Sequence, residues 1–108
     1  MEISGKTRKI LLTMQKGEIT EYFIYQKIAS FVKDEKNSTI LRKIGEEEKV
    51  HAGIWEKITG VTVKPNKLRI LFFTFLARVF GYTFALKLME KGEDGASALY
   101  DKISQEVP

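Results

Sequence analysis

Three glutamates and one histidine are the residues of this chain whose types and spacing could bind a metal ion. The glutamates are Glu18, Glu48 and Glu93, and each falls in the middle of an apolar stripe with helical spacing. An unpaired carboxylate in such a position is strongly disfavoured, so something must compensate its charge. His51 follows Glu48 by three residues, which places an imidazole and a carboxylate one helical turn apart on the same face. Carboxylate and imidazole ligands together suit iron or manganese.

Two predicted helices position the first carboxylates and the imidazole. The first helix covers residues 7–32, and the second begins after a polar stretch in which Asn37 or Ser38 is the expected N-cap. The two stripes are Leu11, Met14, Glu18, Tyr22, Tyr25 and Ala29, then Leu41, Ile44, Glu48, His51, Trp55 and Ile58. Residues equidistant from the turn of a helical hairpin lie side by side. The midpoint of Glu18 and Glu48 falls at the start of the polar stretch, so the hairpin predicts that their carboxylates face each other.

The rest of the chain also has helical periodicity. The second helix ends at Gly60, a connector covers residues 61–66, and a helical segment follows to about Phe80, where Gly81 permits a break. The last helix covers residues 82–104, with one face formed by Leu86, Met89, Glu93, Ala96, Tyr100 and Ile103. No period-two alternation of useful length occurs. The predicted class is therefore all-α, an up-down helical hairpin followed by a connector helix and a third long helix.

An internal repeat links the first and last helices. Residues 16–28 and 91–103 share six identities at a constant offset of 75, including Gly17 with Gly92 and the glutamate that follows each. Glycine inside a helix costs about 1 kcal/mol, so its repetition argues for a purpose. We expect these small residues to let two helices approach closely beside the ligands.

The motif set resembles a known family. Glu18, Tyr25 after it, and Glu48-x-x-His51 look like the rubrerythrin-type ferritin-like proteins, nearest to the ferritin-like domain of vacuolar-iron-transporter-type proteins. The likeness covers nearly the whole chain, including the aromatic connector around residues 77–81. It implies a four-helix bundle with a carboxylate-bridged di-iron centre that reacts with oxygen or peroxide. Manganese or zinc would serve as surrogate ions.

The resemblance also assigns roles to individual residues. It implies that Glu48 is a bridging carboxylate, His51 a terminal ligand, and Glu18 and Glu93 the partner carboxylates. Glu18, Glu48 and His51 would carry the ferroxidase- or peroxidase-type chemistry, linked to iron handling. The tyrosines are interpreted as packing residues rather than redox participants: Tyr22, Tyr25 and Tyr100.

The resemblance further implies a second Glu-x-x-His pair, which the repeat places near positions 123 and 126, beyond Pro108. One chain supplies three glutamates and one histidine, whereas the complete motif has four glutamates and two histidines. We expect either a piece of a longer protein, which the resemblance would join to a membrane transporter domain, or a homodimer that shares ligands. The encapsulated ferritins, which also carry one such motif per chain, are the parallel for the dimer.

Composition excludes several other classes of site. The chain has 108 residues and 12.4 kDa, which is room for a single domain over residues 1–108. It contains no cysteine, which removes disulfide scaffolds, Cys-ligated zinc, iron–sulfur clusters and thiol nucleophiles. The single histidine lacks a nucleophile elbow or a Gly-rich oxyanion loop, so a Ser-His-Asp triad has no support.

The charge balance is mildly basic. Lys and Arg total 18 against 14 Asp and Glu, giving a net charge of +4, and the basic residues are spread along the chain. No aromatic sheet motif or zinc-finger spacing accompanies them, so nucleic acid is not an expected partner. The first residues lack the apolar core of a signal peptide, which favours a cytoplasmic location. Abundant Lys, Glu and Ile beside few Asn and Gln are typical of thermophile proteins.

One apolar segment, residues 68–89, has the length of a membrane span. Arg78 lies in its middle, where a charge costs about 2.5–3.5 kcal/mol on insertion scales. An amphipathic connector that lies on a hydrophobic core or on a membrane surface explains the segment at lower cost.

Two simpler interpretations stand beside the metal site. Glu46, Glu47 and Glu48 could be an ordinary acidic run, with His51 a solvated or packed histidine. The whole chain could also be a metal-free helical interaction or regulatory module that docks on a partner or on a membrane protein.

Overall fold

The computed structural model describes the backbone of residues 4–103 and the side chains of residues 4–92. This part of the chain folds into four α-helices and contains no strand, which confirms the predicted all-α class. The helices are α1 (Gly5–Phe31), α2 (Glu35–Thr59), α3 (Lys67–Phe80) and α4 (Tyr82–Ile103).

The turn between α1 and α2 differs in one respect from the prediction. The N-cap of α2 is Asp34, whose carboxylate accepts from the backbone N–H of Asn37 at 3.1 Å. Asn37 and Ser38, the expected caps, therefore lie inside the first turn of α2. The Ser38 hydroxyl instead donates to the carbonyl of Ala29 at 2.8 Å and ties α2 to the end of α1. A carboxylate is as good a cap as either residue and has the added favourable interaction with the helix dipole.

Glycine ends α2 and α3, as predicted. Gly60 closes α2 with φ of 71° and Gly81 separates α3 from α4 with φ of 93°, a region that residues with a side chain rarely adopt. Asn66 caps α3 by accepting from the N–H of Arg69 at 3.1 Å. The apolar segment 68–89 is thus divided between two helices at Gly81. Within the residues described, none of the helices has the length and apolar character that crossing a bilayer requires.

Helix α1 is the centre of the molecule. Helix α2 packs along one side of it, and α3 and α4 pack on each other and against α1. The core residues are Ile24, Tyr25, Ile28, Ala29, Leu41, Ile70, Phe73, Leu76, Ala77, Ala85 and Met89. The predicted stripe of α1 missed Ile24 and Ile28, which are fully buried, because a helix covered on two sides buries more than one stripe.

Hydrogen bonds fasten the connector between α2 and α3 to α1. The Gln15 side chain donates to the carbonyl of Val61 at 2.6 Å and accepts from the Thr59 hydroxyl at 2.8 Å. Farther along α1, the Thr20 hydroxyl accepts from the N–H of Asn66 at 2.9 Å. Gln15, Thr20 and Thr59 are buried, so these bonds satisfy polar groups that would otherwise be costly to bury. They fix the part of α1 that carries Glu18 relative to the end of α2.

Candidate metal centre

Glu18, Glu48 and His51 come together between α1 and α2. Each residue offers one ligand atom, and these atoms all lie within 4.8 Å of one another. Glu18 comes from α1 and the other two residues from α2. The geometric part of the sequence prediction is confirmed: a hairpin with its turn near position 33 places positions 18 and 48 side by side.

The exposure of His51 differs from what its place in the stripe predicts. Its side chain is 53% exposed, whereas that of Glu48 is 21% exposed, and its Nδ1 lies 3.9 Å from Glu48 Oε1. The buried positions of α2 are Leu41, Gly45, Ala52 and Thr59, so His51 lies at the margin of the face that contacts α1. The cluster therefore has a half-buried carboxylate side and a solvent-facing imidazole side, and the imidazole side is a route by which an ion could enter.

Gly45 sets the close approach of the two helices near the cluster. A Cβ atom placed on Gly45 would lie 3.1 Å from Tyr25 Cβ and 3.4 Å from the carbonyl oxygen of Tyr22. Gly45 precedes Glu48 by one helical turn, so this contact holds the Glu48 backbone close to α1.

The expectation that Gly17 permits a close approach is wrong for this chain. Among the described residues, a Cβ on Gly17 would meet nothing within 4 Å, and one on Gly92 would meet the end of Arg69 at 3.9 Å. The close approach falls instead at Gly45, which is outside the repeat and which no sequence signal separates from Gly17. The two glycines of the repeat, Gly17 and Gly92, do not lie at a close contact between helices of the described chain.

One further carboxylate on α1 was not among the predicted site residues. Glu21 follows Glu18 by three residues and is only 7% exposed, a buried carboxylate that the stripe analysis left out. Tyr22 is half-buried and packs edge-on against Phe23, while the ammonium of Lys49 lies 5.1 Å from the centre of its ring. Lys49 is the residue that follows Glu48, and its ammonium group lies against α1 at Tyr22.

The remaining predicted residues divide into two groups. The side chains of Glu93 and Tyr100 lie outside the described residues, so only their backbone positions in α4 are given. Tyr25 is buried in the core and Met89 is fully buried, as expected for packing residues, while Met14 and Trp55 are half-buried. The burial of Tyr25 agrees with its interpretation as a packing residue.

The acidic neighbours of Glu48 are outside the cluster. Glu46 accepts a long hydrogen bond of 3.4 Å from the Gln26 amide, and Glu47 is exposed. Glu48 is half-buried, whereas Glu46 and Glu47 are exposed. The run is therefore not uniformly solvated, and Glu47 offers a matched control for any test of Glu48.

The donor set fits a transition-metal ion. Two carboxylates and one imidazole are ligands that iron, manganese and zinc accept, at distances of about 2.0–2.2 Å. Donor atoms within 4.8 Å of one another can close on such an ion with small side-chain movements, since His51 is open to solvent.

Comparisons of the chain with models of protein families, with curated proteins and with solved structures find no match. The family resemblance therefore rests on the residue pattern.

Proposed function

We propose that this protein binds iron between α1 and α2 through Glu18, Glu48 and His51. The observation that carries the proposal is the convergence of their ligand atoms within 4.8 Å. An ordinary acidic surface run would not place a carboxylate of a second helix against the same imidazole. The mixed oxygen and nitrogen donor set favours iron, manganese or zinc over calcium and magnesium, which prefer oxygen ligands.

A dinuclear centre needs more ligands than this cluster contains. Two ions in a carboxylate bundle take four glutamates and two histidines, and the side chains that the structure describes bring three ligands together here. We propose that a second copy of the chain supplies a second set, with Glu93 as a further ligand. Two features support a partner at this place: Gly17 is uncrowded next to Glu18, and Ile54, one turn after His51, is 50% exposed.

The proposed activity is ferroxidase- or peroxidase-type chemistry in iron handling, in a ferritin-like bundle. Bound iron would supply the one-electron oxidation and reduction that the side chains cannot perform. Glu18 and Glu48 would neutralise the charge of the ion inside the hairpin. His51 would fix the ion from the solvent side, where ferrous ions arrive.

The test is metal binding by the purified full chain, stripped with a chelator and titrated with Fe²⁺ without oxygen, and separately with Mn²⁺ and Zn²⁺. We expect saturable binding that Glu48→Gln and His51→Ala weaken by more than the roughly 10–100-fold typical of residues that only orient a ligand. Glu47→Gln removes the same charge one residue away and should bind as the unaltered chain does. Equal binding by all three variants would remove these residues from any metal site.

Activity is measured separately by following Fe²⁺ oxidation with oxygen and with hydrogen peroxide. We expect oxidation faster than in buffer, lost in Glu48→Gln and kept in Glu47→Gln. Metal binding without any such acceleration would leave a metal-binding protein and would contradict the redox assignment.

A further inference from the structure

Helix α3 is apolar on two opposite faces, and within the part of the chain that the structure describes one of them is covered and the other exposed. Its core face contacts α1 and α4 through Ile70, Phe73, Leu76 and Ala77. The opposite face, called here the outer face, consists of Leu68, Leu71, Phe72, Phe75 and Val79. These residues are 52–79% exposed although their spacing of three and four places them in one continuous stripe. Contiguous exposed apolar surface of this kind marks a site of interaction.

The outer face continues onto α4. The rings of Phe80 and Phe84 lie 5.7 Å apart across the break at Gly81, and Leu88 follows one turn later. These three side chains are 40–63% exposed. The outer face therefore spans two helices. Single exposed apolar side chains are common on protein surfaces, but this face is a continuous patch of them.

The same part of the chain is strongly and uniformly basic. Residues 57–89 contain no Asp or Glu, and their six basic residues are Lys57, Lys64, Lys67, Arg69, Arg78 and Lys87. The remainder of the chain has 12 basic and 14 acidic residues, so the net positive charge of the protein comes from this segment.

The charges of α3 border its outer face. At about 100° per residue, Lys67 and Arg78 lie on one side of the stripe and Arg69 on the other. Both guanidinium groups lie over aromatic rings, Arg69 over Phe73 at 4.7 Å and Arg78 over Phe31 at 4.3 Å. Neither forms an ion pair with a carboxylate of the described residues. Of the two, Arg78 is exposed at the edge of the stripe.

We propose that the outer face docks on an anionic lipid surface, with α3 and the first turns of α4 lying in the plane of the interface. A stripe of Phe and Leu bordered by Lys and Arg is the pattern of helices that bind membrane surfaces. The lipid offers an acyl region for the apolar stripe and phosphate groups for its basic borders.

Charge argues against a second copy of the chain as the occupant. A symmetric dimer through this face would bring two segments of six positive charges together, because the same patch occurs on both subunits. This docking does not depend on the metal site, whose ligands lie on α1 and α2.

The experiment is flotation of the full chain with vesicles of phosphatidylcholine alone and with added phosphatidylglycerol. We expect binding to the anionic vesicles that falls as salt is raised, and little binding to the neutral ones. The double variant Phe72→Ser with Phe75→Ser should reduce the bound fraction about tenfold or more, since it removes the centre of the apolar stripe.

A matched pair of single variants tests the location. Val79→Ser lies on the outer face and Val50→Ser on α2, and the two valines are 55% and 63% exposed. Val79→Ser should weaken vesicle binding and Val50→Ser should not. Far-ultraviolet circular dichroism checks that each variant folds.

Three results would overturn the proposal: no binding to anionic vesicles at low salt, equal binding to neutral vesicles, or equal effects of the two valine variants. A fourth concerns the other occupants. If the chain ignores vesicles but Phe72→Ser with Phe75→Ser converts a dimer to a monomer in sedimentation, the outer face is a contact between copies.

Discussion

The carboxylates of Glu18 and Glu48 lie within 4.8 Å of each other, together with the imidazole of His51, although thirty residues separate the two glutamates in the sequence. The short turn before α2 sets their register, and the contact of Gly45 with Tyr25 sets the distance between their helices. A site built in this way depends on the hairpin more than on any loop. Changes that alter hairpin packing should therefore alter metal affinity, even where no ligand is touched.

Metal should stabilise the fold. An ion that binds only the folded chain contributes about 2.7 kcal/mol at a hundredfold excess over its dissociation constant. At about 4–8 °C per kcal/mol for a domain near this size, the Tm should rise by roughly 10–20 °C. Differential scanning fluorimetry with Fe²⁺, Mn²⁺ or Zn²⁺ measures the shift, which Glu48→Gln should abolish and Glu47→Gln should keep. A Tm indifferent to all three ions would favour a metal-free interaction module.

His51→Ala should separate a ligand role from a packing role. The side chain is 53% exposed, so its removal should change the stability of the metal-free protein by no more than about 0.5 kcal/mol. The same variant should lose most of the metal-dependent rise in Tm. Chemical denaturation with and without Zn²⁺ gives both values, and a large loss of stability without metal would contradict the prediction by showing that His51 packs.

Gly45→Ala should destabilise the hairpin, whereas Gly53→Ala on the same helix should stabilise it. The added methyl group at Gly45 would meet Tyr25 Cβ at 3.1 Å, and overpacking of this kind costs about 1–3 kcal/mol. The gain in helix propensity, about 1 kcal/mol, offsets the low end of that cost, so the expected net loss is up to about 2 kcal/mol. At Gly53 the methyl group meets nothing within 4 Å, so the gain stands alone.

Metal affinity gives a second readout for the same pair. Gly45→Ala should weaken metal binding because it moves Glu48 away from α1, while Gly53→Ala should leave it unchanged. Isothermal titration with Zn²⁺ measures both. If Gly45→Ala bound as tightly as Gly53→Ala, the spacing of the helices would not control the site.

Thr59→Val should be costly although the two side chains have nearly the same shape. The Thr59 hydroxyl donates to Oε1 of the buried Gln15 side chain at 2.8 Å. Valine cannot donate this hydrogen bond, so the buried oxygen of Gln15 would lose its Thr59 donor. We expect a loss of about 1–3 kcal/mol. Thr62 also donates to a side chain, Glu56, but in an exposed position, so Thr62→Val should change stability by no more than about 0.5 kcal/mol. Similar losses in urea unfolding of both variants would argue against a special role for the buried bond.

The fold class and the facing carboxylates were predictable because both follow from periodicity. The helical spacing of apolar residues predicts the helices. Glu18 and Glu48 are equally far along the chain from the turn near position 33, which predicts that they pair. These inferences need only local sequence and the geometry of a hairpin. Neither inference requires knowing which other helices pack on each face, and the structure confirms both.

Features that depend on which faces are covered were not predictable. The stripe around His51 predicts burial, but among the described residues α2 packs along α1, and His51 falls at the margin of that contact. The same limit applies to α3, whose second apolar face is recognisable only once the first is seen in the core. The choice between Gly17 and Gly45 also depended on packing, because both fit a helical pattern equally well.

The last prediction concerns assembly. If a second copy completes the metal centre, the contact should lie beside Glu18 and His51, where Gly17 is uncrowded and Ile54 is exposed. Ile54→Asp would place a charge in that contact and should keep the chain monomeric in the presence of Fe²⁺ or Zn²⁺. Leu71→Asp places the same charge on the outer face of α3, at 62% exposure, and should leave the dimer intact.

Sedimentation velocity at micromolar concentration, with metal present, distinguishes the outcomes. We expect a dimer for the unaltered chain and for Leu71→Asp, and a monomer for Ile54→Asp, since a charge buried at a symmetric contact is repeated on both subunits. A monomeric unaltered chain that still binds one ion would show that Glu18, Glu48 and His51 form a complete mononuclear site. A dimer disrupted by Leu71→Asp instead would move the contact to the outer face and leave the cluster without a partner's ligands.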